Sequence, residues 1–176
     1  MMKAHLLGFA AFLAIFTLGL LITGCVRRHD PGLELIDAAG QGNLTRVKSL
    51  LQEGAPINQR HPFMFAWTPL IAATYHHQDD VIRYLVESGA DVNLADSSGV
   101  TPLMWLTYDG DQAVPLVKFL IAHGANLDAK DRDGLTVLGH AQGDPPAPKL
   151  IATLEEALAE RNISRPPTMP SPSSRP

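Results

Sequence analysis

A dipeptide that returns at a fixed interval constrains this chain more than any other feature. Gly-Ala occurs three times, 35 residues apart, at Gly54-Ala55, Gly89-Ala90 and Gly124-Ala125. A second motif keeps the same order, at Thr68-Pro69-Leu70, Thr101-Pro102-Leu103 and, in weaker form, Thr136-Val137-Leu138. A period of this size indicates a stack of copies of one supersecondary unit, because no single globular core requires such regularity.

Each period carries the signals of two helices joined by a turn. Threonine followed by proline, as at Thr101-Pro102, suits the cap and the first position of a helix. Apolar residues three and four apart then mark one buried face. Gly89 follows the second apolar stripe and ends that helix, because glycine accepts the left-handed conformation at low cost.

These motifs resemble the ankyrin repeat. Asp96-Ser97-Ser98-Gly99-Val100-Thr101-Pro102-Leu103 matches the turn and helix start of that family, and Gly89-Ala90-Asp91-Val92-Asn93 matches its end. The resemblance covers about residues 33–160. It implies an all-α ankyrin-repeat solenoid of about four helix-turn-helix units with short finger turns, and a non-enzymatic protein-binding role.

Some units depart from the family pattern. The first and fourth are atypical, as expected of units that cap a stack. His77 stands where the family usually has a turn glycine, which predicts a mildly strained left-handed backbone. The third unit has two extra residues in its turn, around residues 109–115.

The N-terminal segment resembles the signal peptide of bacterial lipoproteins. An uncharged apolar run, Leu6 to Ile22, follows Lys3 and leads into Thr23-Gly24-Cys25, which resembles the lipobox. The resemblance implies a signal peptide over residues 1–24, a lipid on Cys25 and a linker over residues 25–32. It also implies the periplasmic side of a membrane, with the outer membrane favoured because Val26 is not aspartate.

An uncleaved transmembrane anchor is the alternative for this segment. The uncharged stretch is about long enough to span a bilayer. Arg27 and Arg28 outweigh Lys3, so the positive-inside rule would then place the C-terminal domain in the cytoplasm.

Two groups of residues are candidates for partner binding. The gap from Gly54 to Thr68 is two residues longer than its counterparts and is apolar and aromatic. Its candidates are Phe63, Met64, Phe65 and Trp67. Aromatic residues and methionine anchor protein interfaces when exposed, but the same loop could instead cover the edge of the core. The second group, on the helical face, comprises Tyr75, Trp105, Tyr108, Asp109 and Asp111.

The remaining features narrow the function. The net charge is −4 and the basic residues are scattered, which argues against a nucleic-acid partner. No motif predicts catalysis, a metal, a cofactor or a small-molecule substrate. Residues 161–176 are rich in proline and serine and are predicted to be disordered. The leading prediction is a scaffold or stabiliser of an envelope protein. The alternatives are an immunity protein against a toxin that acts in the periplasm, and an accessory factor in oxidative-stress defence.

Overall fold

The computed structural model describes residues 30–143 and 146–164. The predicted signal peptide and Cys25 lie outside these residues. Within them the chain forms eight α-helices and one 3-10 helix, with no strand. The helices are α1 (Pro31–Gly40), α2 (Leu44–Gln52), α3 (Pro69–Tyr75), α4 (Asp79–Glu87), α5 (Pro102–Trp105), the 3-10 helix (Leu106–Ala113), α6 (Val114–Ala122), α7 (Val137–Ala141) and α8 (Pro148–Ser164). The predicted all-α solenoid of four helix pairs is confirmed.

The threonines of the repeat motif start the inner helices as predicted. The Thr68 hydroxyl accepts a hydrogen bond from the backbone N–H of Ile71, and Thr101 and Thr136 do the same three residues on. Each hydroxyl satisfies a donor that the first turn of a helix leaves unpaired. Asn43 caps α2 in the same way through its side-chain oxygen.

One continuous apolar core runs through the stack. Its fully buried members include Leu35, Leu70, Leu103 and Leu120, each at most 1% exposed. Small residues such as Ala73 lie between them and let neighbouring helices approach closely. Inner helices of successive units pack on one another, α1 on α3 and α3 on α5. Every unit therefore buries its apolar face against its neighbours, as a repeat protein requires.

The turns between units project as fingers that are hydrogen-bonded to one another. We name them finger 1 (residues 61–67), finger 2 (residues 96–100) and finger 3 (residues 131–135). The N–H of Ser97 donates to the carbonyl of Phe65 at 2.7 Å, which joins fingers 1 and 2. The N–H of Arg132 donates to the carbonyl of Ser98 at 2.9 Å, which joins fingers 2 and 3.

The strain predicted at His77 is present, with a φ of 57°. The ends of the repeat domain differ from the predicted limits of 33 and 160. Helix α1 already begins at Pro31, because proline has the φ of a first helical residue. Helix α8 continues through Arg161 to Ser164, and the Arg161 guanidinium pairs with the Asp128 carboxylate at 2.8 Å. The predicted disorder at residues 161–164 is therefore wrong, and residues 165–176 lie outside the described part.

Candidate functional site

Four aromatic side chains from four elements of the chain form one connected cluster. We call Trp67, Tyr75, Trp105 and Tyr108 the aromatic row. The ring centroids of Trp67 and Tyr75 lie 4.7 Å apart, those of Tyr75 and Trp105 5.2 Å, and those of Trp105 and Tyr108 5.5 Å. Such tilted and edge-on contacts stabilise aromatic pairs beyond the area that they bury. The two groups of candidates therefore meet in one surface, through Trp67.

Different elements place the four rings of the row. Trp67 ends finger 1, whereas Tyr75 and Trp105 are the last residues of α3 and α5. Tyr108 lies in the 3-10 helix, which contains the extra residues of the third unit. This helix carries a break at Gly110, where φ is 60° and ψ is −139°, a conformation suited to glycine. Tyr108 is the counterpart of Tyr75, because each lies seven residues after the capping threonine of its unit.

Finger 1 is held in shape by the imidazole of His61. Its Nδ1 atom accepts hydrogen bonds from the backbone N–H groups of Phe63 at 3.1 Å and Met64 at 2.8 Å. The backbone N–H of His61 donates to the carbonyl of Trp67 at 2.8 Å and closes the loop. The loop sequence pointed to its apolar residues but gave no sign that a histidine would organise them.

The apolar residues of finger 1 divide between the two roles left open by the sequence. Phe63 is 91% exposed, Phe65 66% and Met64 46%. Trp67 is half-buried and packs on α3 and α5 through Tyr75 and Trp105. Finger 1 therefore covers the helices with one aromatic ring and presents two phenylalanines to solvent.

Two shallow clefts flank the middle of the row. The larger cleft has a volume of about 660 Å³ and is lined by Tyr75, His76, His77, Trp105 and Tyr108.

 The smaller cleft has a volume of about 250 Å³ and is lined by Phe65, Trp67, Tyr75, Asp96, Ser98, Val100 and Trp105. Both clefts share Tyr75 and Trp105, so the row forms one open, mainly apolar groove. Such a groove suits an extended chain better than an enclosed small molecule.

The two tryptophans of the row differ in their hydrogen bonding. The indole Nε1 of Trp105 donates to Oδ2 of the buried Asp96 at 3.3 Å. The indole Nε1 of Trp67 is buried and has no hydrogen-bond partner among the described residues. Tyr75 and Tyr108 are 45% and 68% exposed, so their rings form the accessible face of the row.

The two predicted carboxylates have different surroundings. Asp109 Oδ1 lies 2.6 Å from His77 Nδ1, beside the Tyr108 end of the row. Asp111 Oδ1 instead accepts the backbone N–H groups of Lys149 and Leu150 at 2.8 and 3.1 Å, which caps the start of α8. Asp111 therefore joins the third unit to the last helix, and we leave it out of the candidate binding surface.

A histidine and an aspartate extend the row at its far end. The ring of His140 lies 6.2 Å from that of Tyr108, and its Nε2 is 2.8 Å from Asp131 Oδ2. Burial raises the pKa of Asp131, but hydrogen bonds from Leu135, His140 and Asp133 outweigh it and leave the pKa below its usual value. In the described ranges, no group of three or more His, Cys, Asp or Glu side chains is placed to hold a metal ion.

Comparison with known proteins decides the family. The model "Ankyrin repeats (3 copies)" matches residues 35–131, more than half of the chain. The chain belongs to the ankyrin-repeat family. Ankyrin repeats form protein–protein interaction modules, and the row lies on the repeats themselves.

The curated relatives share the repeats but are much longer proteins. Ankyrin repeat and SAM domain-containing protein 6 of Rattus norvegicus is 32% identical over 60% of this chain and 12% of its own length. Ankyrin repeat and SOCS box protein 6 of Mus musculus is 34% identical over 56% of this chain and 23% of its own length. Palmitoyltransferase Hip14 of Drosophila melanogaster is 32% identical over 66% of this chain and 18% of its own length. This chain thus spans less than a quarter of these relatives.

Proposed function

We propose that this chain is a lipid-anchored ankyrin-repeat protein that binds and stabilises an envelope protein at the periplasmic face of a bacterial membrane. The lipobox resemblance around Cys25 supports the anchor, and Val26 favours the outer membrane. The repeat family supports protein binding. None of the helices in residues 30–143 and 146–164 combines the length and apolarity needed to cross a bilayer.

The observation that carries the binding proposal is the exposed aromatic row. Aromatic side chains are common among the residues that dominate binding energy, because they bury a large area with few rotatable bonds. Tyr108 is 68% exposed and lies beside the half-buried Trp105. Phe65 adds a second exposed ring at the other end, where it lines the smaller cleft. A partner lying along the groove would contact both ends at once.

Capture of partners from envelope extract tests this surface. We expect full-length Tyr108→Ala to lose roughly tenfold in affinity, because truncating a tyrosine that anchors an interface costs about 1 kcal/mol or more. Ile163→Ala is the matched control, since Ile163 is 84% exposed on α8. Identical capture by both variants would exclude the row as the binding surface. Capture of a toxin would favour the immunity-protein alternative over the scaffold role.

The anchor has its own test. We expect Cys25→Ser to block labelling by fatty acid and processing of the signal peptide, because the thiol is the lipidated group in the family that this segment resembles. Unchanged membrane retention without fatty-acid labelling of the original chain would favour the transmembrane alternative. Neither result depends on the aromatic row.

A further inference from the structure

The groove along the aromatic row has the chemistry of a site for proline-rich segments. Grooves lined by aromatic rings bind polyproline II helices, whose prolines pack between rings and lose little entropy on binding. In this chain the rings of Trp67, Tyr75, Trp105 and Tyr108 follow one another at 4.7 to 5.5 Å. The row therefore offers several neighbouring ring faces and edges along one line.

The same chain contains a segment of the matching composition. Residues 165–176 read Arg-Pro-Pro-Thr-Met-Pro-Ser-Pro-Ser-Ser-Arg-Pro. They include Pro167-Thr168-Met169-Pro170, a P-x-x-P sequence of the kind that aromatic grooves bind. The segment contains two arginines, Arg165 and Arg175, and no acidic residue.

Carboxylates near both ends of the groove complement these arginines. Asp37 is exposed and lines a cleft with Met64 and Trp67 at the first end. Asp109 lies beside Tyr108 at the other end. Basic residues that flank a proline-rich segment can pair with such carboxylates, which fixes the direction and register of binding.

Helix α8 gives the segment a starting point within reach of the row. The backbone N–H groups of Lys149 and Leu150 at its start donate to Asp111, which follows Tyr108 by three residues. Arg161 near its far end pairs with Asp128. Its 17 residues span about 25 Å. In the polyproline II conformation, 12 residues would reach about 37 Å, so the length of residues 165–176 is sufficient to return along α8 to Tyr108.

We propose that residues 165–176 dock along the aromatic row of their own molecule and shield it until a partner displaces them. This inference rests on the proposed binding role of the row. A tethered segment competes at an effective concentration of about millimolar, so even a weak intramolecular contact covers the rings. Removal of the segment should then expose the row without disturbing the repeats.

The two tryptophans of the chain make the test direct, because both lie in the row. We compare the full chain with a variant that ends at Ser164. We expect truncation to shift tryptophan emission to longer wavelength and to remove protection from acrylamide quenching, with the melting temperature unchanged. Identical emission and quenching in the two chains would overturn the proposal. So would protection that rises with protein concentration, since that would indicate docking between copies.

Substitutions within the segment separate specific docking from simple crowding. Pro167→Ala combined with Pro170→Ala keeps the length and charge, and we expect it to lose protection as truncation does. Ser171→Ala combined with Ser174→Ala is the matched control and should keep protection. Protection that survives the proline substitutions would contradict binding through the aromatic groove.

Partner capture distinguishes failure of this inference from failure of the proposed function. If docking occurs, truncation should increase capture, whereas Tyr108→Ala should decrease it. A loss of capture by Tyr108→Ala with no change in fluorescence on truncation would contradict only the docking of residues 165–176. A change in fluorescence on truncation with normal capture by Tyr108→Ala would contradict only the proposed partner site.

Discussion

Finger 1 is held in shape by different side chains from those that hold fingers 2 and 3. In finger 2, Asp96 accepts the backbone N–H groups of Ser98 and Val100 at 2.7 and 3.1 Å and also holds the indole of Trp105. Asp131 of finger 3 repeats this pattern with its own backbone donors and with His140. A buried carboxylate thus ties each of these fingers to the helix nine residues ahead.

Finger 1 lacks this connection to the helix. His61 occupies the position of the aspartates, and its Nδ1 atom accepts the two backbone N–H groups of the finger. Ala72 stands where Trp105 and His140 stand in the next units, so no side chain returns the contact. Trp67, at the end of this longer finger, instead packs against Tyr75. Fingers 2 and 3 are therefore held to the helices by buried carboxylates, whereas finger 1 packs on them through an aromatic ring.

The largest expected effect comes from removing a framework carboxylate. Asp96→Ala removes the acceptor of three hydrogen-bond donors, the backbone N–H groups of Ser98 and Val100 and the indole of Trp105. Each donor left without its acceptor costs about 1 kcal/mol or more, so we expect a loss of about 3 to 4 kcal/mol in the free energy of unfolding. Urea unfolding measures it. Asp133→Ala is the control, because Asp133 is exposed and uses its backbone N–H rather than its carboxylate in finger 3. Equal effects of the two substitutions would contradict this account of the fingers.

Two glycines at equivalent turn positions allow the packing between fingers 2 and 3 to be tested. Both Gly99 and Gly134 have a φ near 80°, but only at Gly99 would a Cβ atom meet another finger, 3.0 Å from the Cα of Asp131. Left-handed strain costs about 1 kcal/mol in either alanine variant, and the clash adds about 1 to 2 kcal/mol. We therefore expect Gly99→Ala to lower the free energy of unfolding more than Gly134→Ala. Thermal or urea unfolding of both variants checks the difference, and equal losses would show that the fingers are not tightly packed.

The sequence alone predicted the framework because its determinants are local. The threonine caps, the terminating glycines and the apolar spacing each act within one unit and recur in register. The strain at His77 was predicted for the same reason, since one turn position determines its φ. The end of α8 was predicted too early, because its last turn is stabilised by Arg161 pairing with Asp128, a contact across 33 residues.

The surface was predicted only in part. Its aromatic residues were named, but as two separate groups, because the contact of Trp67 with Tyr75 and Trp105 depends on how finger 1 folds back. Asp111 was assigned to the surface because its role as a helix cap depends on residues 38 and 39 positions later. Contacts of this range follow from the stacking of units, which periodicity within one unit does not reveal.

A smaller effect is expected from relieving strain in finger 1. Phe65 and Ala66 are consecutive non-glycine residues with φ values of 48° and 55°. We expect Ala66→Gly to raise the free energy of unfolding by about 0.5 kcal/mol, because the gain from removing the strain exceeds the added entropy of the unfolded chain. Ala152→Gly, on an exposed position inside α8, should instead lower it by about 1 kcal/mol. Destabilisation by both variants would show that finger 1 is not strained at Ala66.

The smallest expected effect is local and depends on pH. The pKa of Asp131 is lowered in the folded state, so its contribution to finger 3 is present at neutral pH and is lost only as pH falls through that lowered value. Amide hydrogen exchange should therefore show Leu135, whose backbone N–H donates to Asp131, losing protection only in acid. In Asp131→Asn the side-chain oxygen still accepts this hydrogen bond but no carboxylate titrates, so we expect a smaller loss of protection on acidification. An equal loss in the two chains would contradict the role of the Asp131 carboxylate.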